Sequence, residues 1–142
     1  MNMGKKLITL EAKTEKLAEI TGIMDEMLEE ADCDMKTQLT LDMALEEMFV
    51  NVAHYAYLES GLPEEKQTMD VEFEVENGKI TITITDSGKP FDPLKKPDPD
   101  ITLSAEERQI GGLGIYMVKQ SMDNVSYEYK DGKNIFMMDK AL

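Results

Sequence analysis

An α+β two-layer sandwich, with helices packed on one face of a mixed, mostly antiparallel sheet, is the fold this sequence predicts. Three observations predict it. Alternating apolar runs flank two tight-turn dipeptides, Asn77-Gly78 and Asp131-Gly132. Two segments between residues 14 and 58 carry apolar residues at helical spacing instead. Each alternating run offers one apolar face only, which places the helices together on that side.

The elements follow in order. Residues 6–11 read as a first strand. Leu17, Ile20, Met24, Met27, Leu28 and Ala31 keep helical spacing, and Thr14 stands where an N-cap belongs. A second helix is expected from about Asp34 to about Leu58, with Leu41, Leu45, Met48, Val52 and Tyr55 as its apolar stripe. Phe49, Val50 and Ala53 widen that stripe, so the second half should be buried on several sides. Gly61-Leu62-Pro63 ends it. Val71, Phe73 and Val75 alternate with acids, and Ile80, Ile82 and Ile84 alternate with threonines up to Asp86, which predicts a hairpin about Asn77-Gly78. A third helix spans about Gly114 to Met122. The closing hairpin sets Val125, Tyr127 and Tyr129 against Ile135 and Met138. Residues 87–110 hold four of the five prolines and show no sustained periodicity. An irregular stretch this long in a compact domain is functional or disordered.

At 142 residues and 42% hydrophobic content the chain is expected to form one domain, residues 1–142, with a proper core. Cys33 is its only cysteine, which leaves no internal disulfide and no thiol cluster for zinc and fits a reducing cytoplasm. No long apolar run follows Lys5 and Lys6, so neither a signal peptide nor a membrane span is expected. A formal charge of −14 argues against direct nucleic-acid binding and against an anionic membrane surface, both of which need a basic face. A basic protein partner would suit it, although most of the surplus acid serves solubility. Of twelve methionines most are expected to fill the core, and methionine-rich surfaces can also serve adaptable binding.

Three motifs carry chemistry. In Glu47-Met48-Phe49-Val50-Asn51, the carboxylate and the amide are one helical turn apart, and His54 continues the same face. The amide oxygen of Asn51 can ligate Mg²⁺, which takes few protein ligands beside phosphates and waters. The Glu47 carboxylate can take a proton from an attacking hydroxyl or water. A solvated helix face is the ordinary reading of that spacing. In Asp86-Ser87-Gly88-Lys89-Pro90-Phe91-Asp92-Pro93, a carboxylate at a strand end can accept the exocyclic amine of adenine, and Gly88 permits close backbone approach. In Gly111-Gly112-Leu113-Gly114-Ile115, three glycines open a helix and can present backbone N–H groups to phosphate. No Walker loop and no dinucleotide-binding glycine motif is present. Arg108, the only arginine, stands just before these glycines and suits a phosphate clamp.

In this order and spacing the motifs resemble those of the GHKL (Bergerat-fold) ATPases, and within them the anti-sigma regulatory factor and serine-protein kinase branch. Residues 45–57 look like the N box, residues 86–93 like the G1 box, and residues 111–115 followed by Met122-Asp123 like the G2 box. The resemblance covers essentially the whole chain. It implies ATP and Mg²⁺ as cofactors, with Asn51 holding the metal and Glu47 acting as general base. It further implies that Asp86 binds adenine with Gly88 beside it, that Gly112 and Gly114 contact phosphate, that Phe91, Arg108, Gly111 and Leu113 belong to the same nucleotide-binding set, and that residues 87–110 form an ATP lid. A sigma factor and an anti-anti-sigma-type antagonist are the implied protein partners, and a homodimer is implied as well. Two departures stand out. The N-box histidine position is occupied by Tyr55, with His54 one place early and without a catalytic role, and Arg108 is displaced from the glycine turn.

Two readings follow. The first is a Mg-ATP-dependent kinase that phosphorylates a serine of an antagonist in a partner-switching circuit regulating transcription. The second is an ATP-binding module that acts by sequestering a partner. A detached histidine-kinase catalytic domain fits less well, since no phosphoacceptor helix accompanies it.

Overall fold

Apolar side chains at alternate positions make a pleated surface with one apolar side, and the described residues build five strands. They are β1 (Gly4–Glu11), β2 (Thr68–Glu76), β3 (Lys79–Asp86), β4 (Asn124–Lys130) and β5 (Lys133–Ala141). The computed structural model describes residues 4–95 and 113–142. The strands form one sheet in the order β1-β2-β3-β5-β4. All four pairings are antiparallel, which sharpens the expected mixed, mostly antiparallel sheet. Both hairpins turn on two left-handed residues, Asn77 and Gly78 (φ 54° and 72°) and Asp131 and Gly132 (φ 53° and 76°). Such turns match the right-handed twist of paired strands, and Asn-Gly or Asp-Gly enters them at least steric cost.

Among the described residues three α-helices cover one face: α1 (Leu17–Glu30), α2 (Met35–Tyr55) and α3 (Leu113–Ser121). Ile20, Met24 and Leu28 of α1, Leu41, Leu45 and Phe49 of α2, and Ile115 and Val118 of α3 bury against Val71, Phe73, Ile80, Ile82, Ile84 and Met138. Each large side chain buried in this way contributes roughly 1.5–3 kcal/mol. Asp34 caps α2 by accepting the Thr37 N–H at 2.7 Å, a bond that also holds its carboxyl below the ordinary range.

Three expectations need correction. Thr14 does not cap α1. It opens a 3₁₀ turn (Thr14–Lys16), and its hydroxyl donates to the neighbouring Glu15. The second helix ends at Tyr55 and not near Leu58, because Tyr57 turns inward and donates its hydroxyl to the Thr68 carbonyl at 2.6 Å. Tyr55, expected on the apolar stripe, is half exposed.

Asp25 of α1 and Asp42 of α2 meet where the two helices pack, and the Oδ1 of each is buried without a donor. Two carboxylates can bond only if one keeps a proton. Burial, then the hydrogen bond to Asp25 and its charge, push the Asp42 carboxyl up to about 7. Between the unfolded value of 3.8 and about 7 the folded chain holds a proton that the unfolded chain has lost, so this pair makes stability fall as pH rises through that window. Asp42→Asn removes the titration. Thermal melts at pH 5 and pH 8 should show the variant losing less Tm than the wild type over that interval, by about a few degrees. Equal losses would mean that the pair does not share a proton.

Candidate functional site

The end of β3 and the end of α2 bring two of the three motifs together. Residues 80, 82 and 84 face the helices, and the same phase carries Asp86 to the helix-covered side as the strand ends. Asp86 is a buried acid at the floor of a narrow cleft of about 40 Å³. Met48, Val52, Ile84, Phe91 and Phe136 give the cleft apolar walls, and Asn51 also lines it. Gly88 N–H and Asn134 Nδ2 donate to Asp86 Oδ1 at 2.8 and 2.9 Å. Burial pushes the Asp86 carboxyl up, against the opposing effect of these two bonds. No described residue donates to Oδ2, which leaves one carboxylate oxygen for a ligand. A flat apolar slot with one acceptor at its floor fits an aromatic base that carries an amino group.

Gly88 is buried against the end of α2. A β-carbon there would lie 2.1 Å from the Ala56 carbonyl oxygen. The next residue, Lys89, donates its N–H to that same carbonyl at 3.1 Å. Absence of a side chain is therefore what lets the loop after β3 seat on the helix.

Glu47 and Asn51 meet as their spacing predicts. Asn51 Nδ2 donates to the Glu47 carbonyl at 2.8 Å and to Glu47 Oε1 at 3.1 Å. Both donors of the amide thus point back along the helix. Its oxygen accepts nothing from a described residue and remains for a hard cation. These residues fit a nucleotide with Mg²⁺. Glu47 itself lines a different depression, the groove between α2 and α3. Its carboxylate packs on Gly114 so closely that a β-carbon there would lie 2.1 Å from Oε1. The third motif therefore reaches the site through the first turn of α3, where Leu113 is the first helical residue.

Arg108, Gly111 and Gly112 lie outside the described residues, as does most of the expected lid; residues 87–95 are described and include a 3₁₀ turn (Pro93–Lys95). His54, one face with Glu47 and Asn51 by spacing, is exposed and lines a separate polar depression with Lys13 and Glu64.

Sequence reasoning missed three residues. Asn134 is buried on β5 directly opposite Asp86. Its amide donates to Asp86 and to the carbonyls of Gly88 (3.4 Å) and Lys89 (2.8 Å). Its oxygen accepts the Phe91 N–H at 3.1 Å and the hydroxyl of Tyr127 on β4. Tyr57 accepts the Ser87 N–H at 2.9 Å, and burial pushes its hydroxyl up. One signal was available for Asn134: it is a polar residue in the phase of β5 that Phe136 and Met138 mark as buried.

Comparison with known proteins agrees with this geometry. A family model described as "Histidine kinase-like ATPase domain" matches residues 10–140. The chain is 28% identical over 101 residues to the serine-protein kinase RsbW of Listeria monocytogenes, covering 68% of this chain and 62% of the relative. It is 23% identical over 99 residues to the serine/threonine-protein kinase BtrW of Bordetella bronchiseptica, covering 70% and 67%. The match thus spans less than two thirds of the Listeria relative's length. Among solved structures, the RsbU and RsbW domains of Rv1364c from Mycobacterium tuberculosis superpose with a TM-score of 0.70 at 14% identity, over 98% of this chain and 32% of that one. A chain of the SiaB-SiaC complex from Pseudomonas aeruginosa gives 0.63 at 16% identity, over 96% and 89%. These structural likenesses extend to the fold alone.

Proposed function

The chain belongs to the histidine kinase-like ATPase domain family, and from that premise we propose that it binds Mg-ATP and transfers the γ-phosphate to a serine or threonine of a protein partner in a partner-switching circuit. The observation that carries this reading is the Glu47–Asn51 pair, hydrogen-bonded one turn apart beside a cleft whose floor is Asp86. Asp86 Oδ2 would accept the adenine amine, with Asn134 and Gly88 fixing the other oxygen. Asn51 would hold Mg²⁺, which when bound neutralises phosphate charge. Glu47 would accept the proton of the attacking hydroxyl, its carboxylate oriented by Asn51 and wedged against Gly114. Transfer of this kind rests mostly on positioning and charge neutralisation. Protein kinases among the relatives support a protein partner, of which a sigma factor and its antagonist are the proposed examples. Among the described residues no helix is long and apolar enough to cross a membrane, and a cytoplasmic setting is part of the proposal.

Thermal unfolding with and without MgATP tests the nucleotide site. Ligand at about one hundred times Kd adds roughly 2.7 kcal/mol, a shift of several degrees for a domain of this size. The shift should need Mg²⁺ and be lost in Asn51→Ala and Asp86→Asn. No shift in the folded wild type would remove the reading. The displacement of Arg108 favours a second one, an ATP-binding module that only sequesters its partner. Label transferred from γ-labelled ATP to a candidate partner separates the two.

A further inference from the structure

We propose that the groove between α2 and α3 is where the acceptor segment of the protein substrate docks, and that this segment carries an apolar side chain and a lysine or arginine beside its hydroxyl residue. The inference rests on the kinase reading above and adds the direction of approach and the chemistry selected.

Glu47 is the starting point. It touches the nucleotide cleft only through Asn51, while its own carboxylate lines the α2–α3 groove. A hydroxyl that delivers its proton to Glu47 must come within hydrogen-bond reach of that carboxylate. The open approach to it among the described residues is the groove, a depression of about 400 Å³ lined by Met43 and Met117.

The walls of that groove are unusual for this molecule. Met43 lines it and is 61% exposed, and Met35 and Leu39, 68% and 55% exposed, precede Met43 at one-turn intervals along α2, beyond the groove's own lining. Met117 of α3 faces the same depression and is 47% exposed. Contiguous apolar exposure on a soluble domain marks an interaction surface, and methionine adapts its shape to what it meets. The charge is one-sided as well. Glu46 and Glu47 line the groove, and no basic residue is among its described lining residues, in a chain of net charge −14. An occupant with a basic residue complements Glu46, and an acidic one is repelled. Glu46 is exposed and stands beside Glu47 in sequence, so the basic residue it selects would lie close to the acceptor hydroxyl.

Two fluorescent peptides with a single serine test this, one flanked by leucine and lysine, the other with glutamate in place of lysine. Anisotropy reads binding to the full chain in MgADP, and γ-labelled ATP reads transfer. The wild type should prefer the lysine peptide by about tenfold, the size of one modest charge contact. Glu46→Lys should reverse the preference and Met43→Ser, which removes apolar surface without adding charge, should weaken binding of the lysine peptide, while both variants keep the MgATP thermal shift. Equal binding of the two peptides, no binding of either, or indifference to both substitutions with the MgATP shift intact, would overturn the groove assignment and leave the nucleotide reading standing. Groove-dependent binding without transferred label would overturn the kinase reading, and with it the occupant's identity as an acceptor. Loss of the MgATP shift in the wild type would remove the nucleotide reading by itself.

Discussion

Glu47→Gln is expected to keep nucleotide binding and to lower phosphoryl transfer by about 10²–10⁴-fold, the usual contribution of a positioned base. The amide keeps the size of the carboxylate and can still accept from Asn51 Nδ2, which donates at 3.1 Å in the wild type. What it loses is basicity. Gly114→Ala makes the same test from the opposite side. Its β-carbon would overlap the Glu47 carboxylate at 2.1 Å, and the carboxylate, at the end of a flexible side chain, must move away. We expect Gly114→Ala to unfold within about a degree or two of the wild type, since a side-chain end can yield at little cost. Transfer should nevertheless fall toward the Glu47→Gln level, because a misplaced base fails as a neutral one does. Stopped single-turnover assays with labelled ATP, run beside equilibrium nucleotide binding, measure both. Full-rate transfer by Glu47→Gln would show that another group takes the proton.

Gly88→Ala is expected to act on the fold itself. The β-carbon would sit 2.1 Å from the Ala56 carbonyl oxygen and 2.6 Å from its carbon, and both atoms belong to the backbone. Nothing flexible can yield there, so either the end of α2 or the loop after β3 must shift. Overpacking of this kind costs about 1–3 kcal/mol. The shift would also strain the Lys89 N–H bond to the same carbonyl and the Gly88 N–H bond to Asp86. We expect a Tm lower by roughly 3–10 °C and loss of the MgATP-dependent gain, because the floor of the cleft moves with the loop. A melt near the wild type with nucleotide stabilisation intact would show that the loop can seat elsewhere.

The architecture was legible where local pattern and tertiary demand agree. Alternation at Val71, Phe73, Ile80, Ile82 and Ile84 marks strands because each buries one side, and the two hairpin turns are written in Asn77-Gly78 and Asp131-Gly132. Errors arose where a side chain spends its hydrogen bond elsewhere. Thr14 resembles a cap, but its hydroxyl goes to Glu15. Tyr57 resembles one more helical residue, but its hydroxyl joins the start of β2 to the residue after β3 and draws the chain out of α2. In the site, Glu47, Asn51, Asp86 and Gly88 were readable from short spacing. Asn134 and Tyr127 were not, since their roles depend on strand register across the sheet, which no local spacing reports. Which depression Glu47 faces depends on how α3 packs on α2, and that too is invisible in the motif.

The Asp86–Asn134 bond joins residues 48 positions apart, and Asn134 stands in the last strand. During synthesis, α2 and the hairpin of β2 and β3 leave the ribosome well before β5 does. Until then Asp86 lacks a neighbouring strand on that side, and Lys89 and Phe91 lack the side chain that fixes them. Long-range closure of this kind comes late, because its loop entropy must be met first. A nascent chain stalled before Lys133 would therefore carry its central motifs and still retain no nucleotide, which makes nucleotide capture a report that β5 has paired with β3.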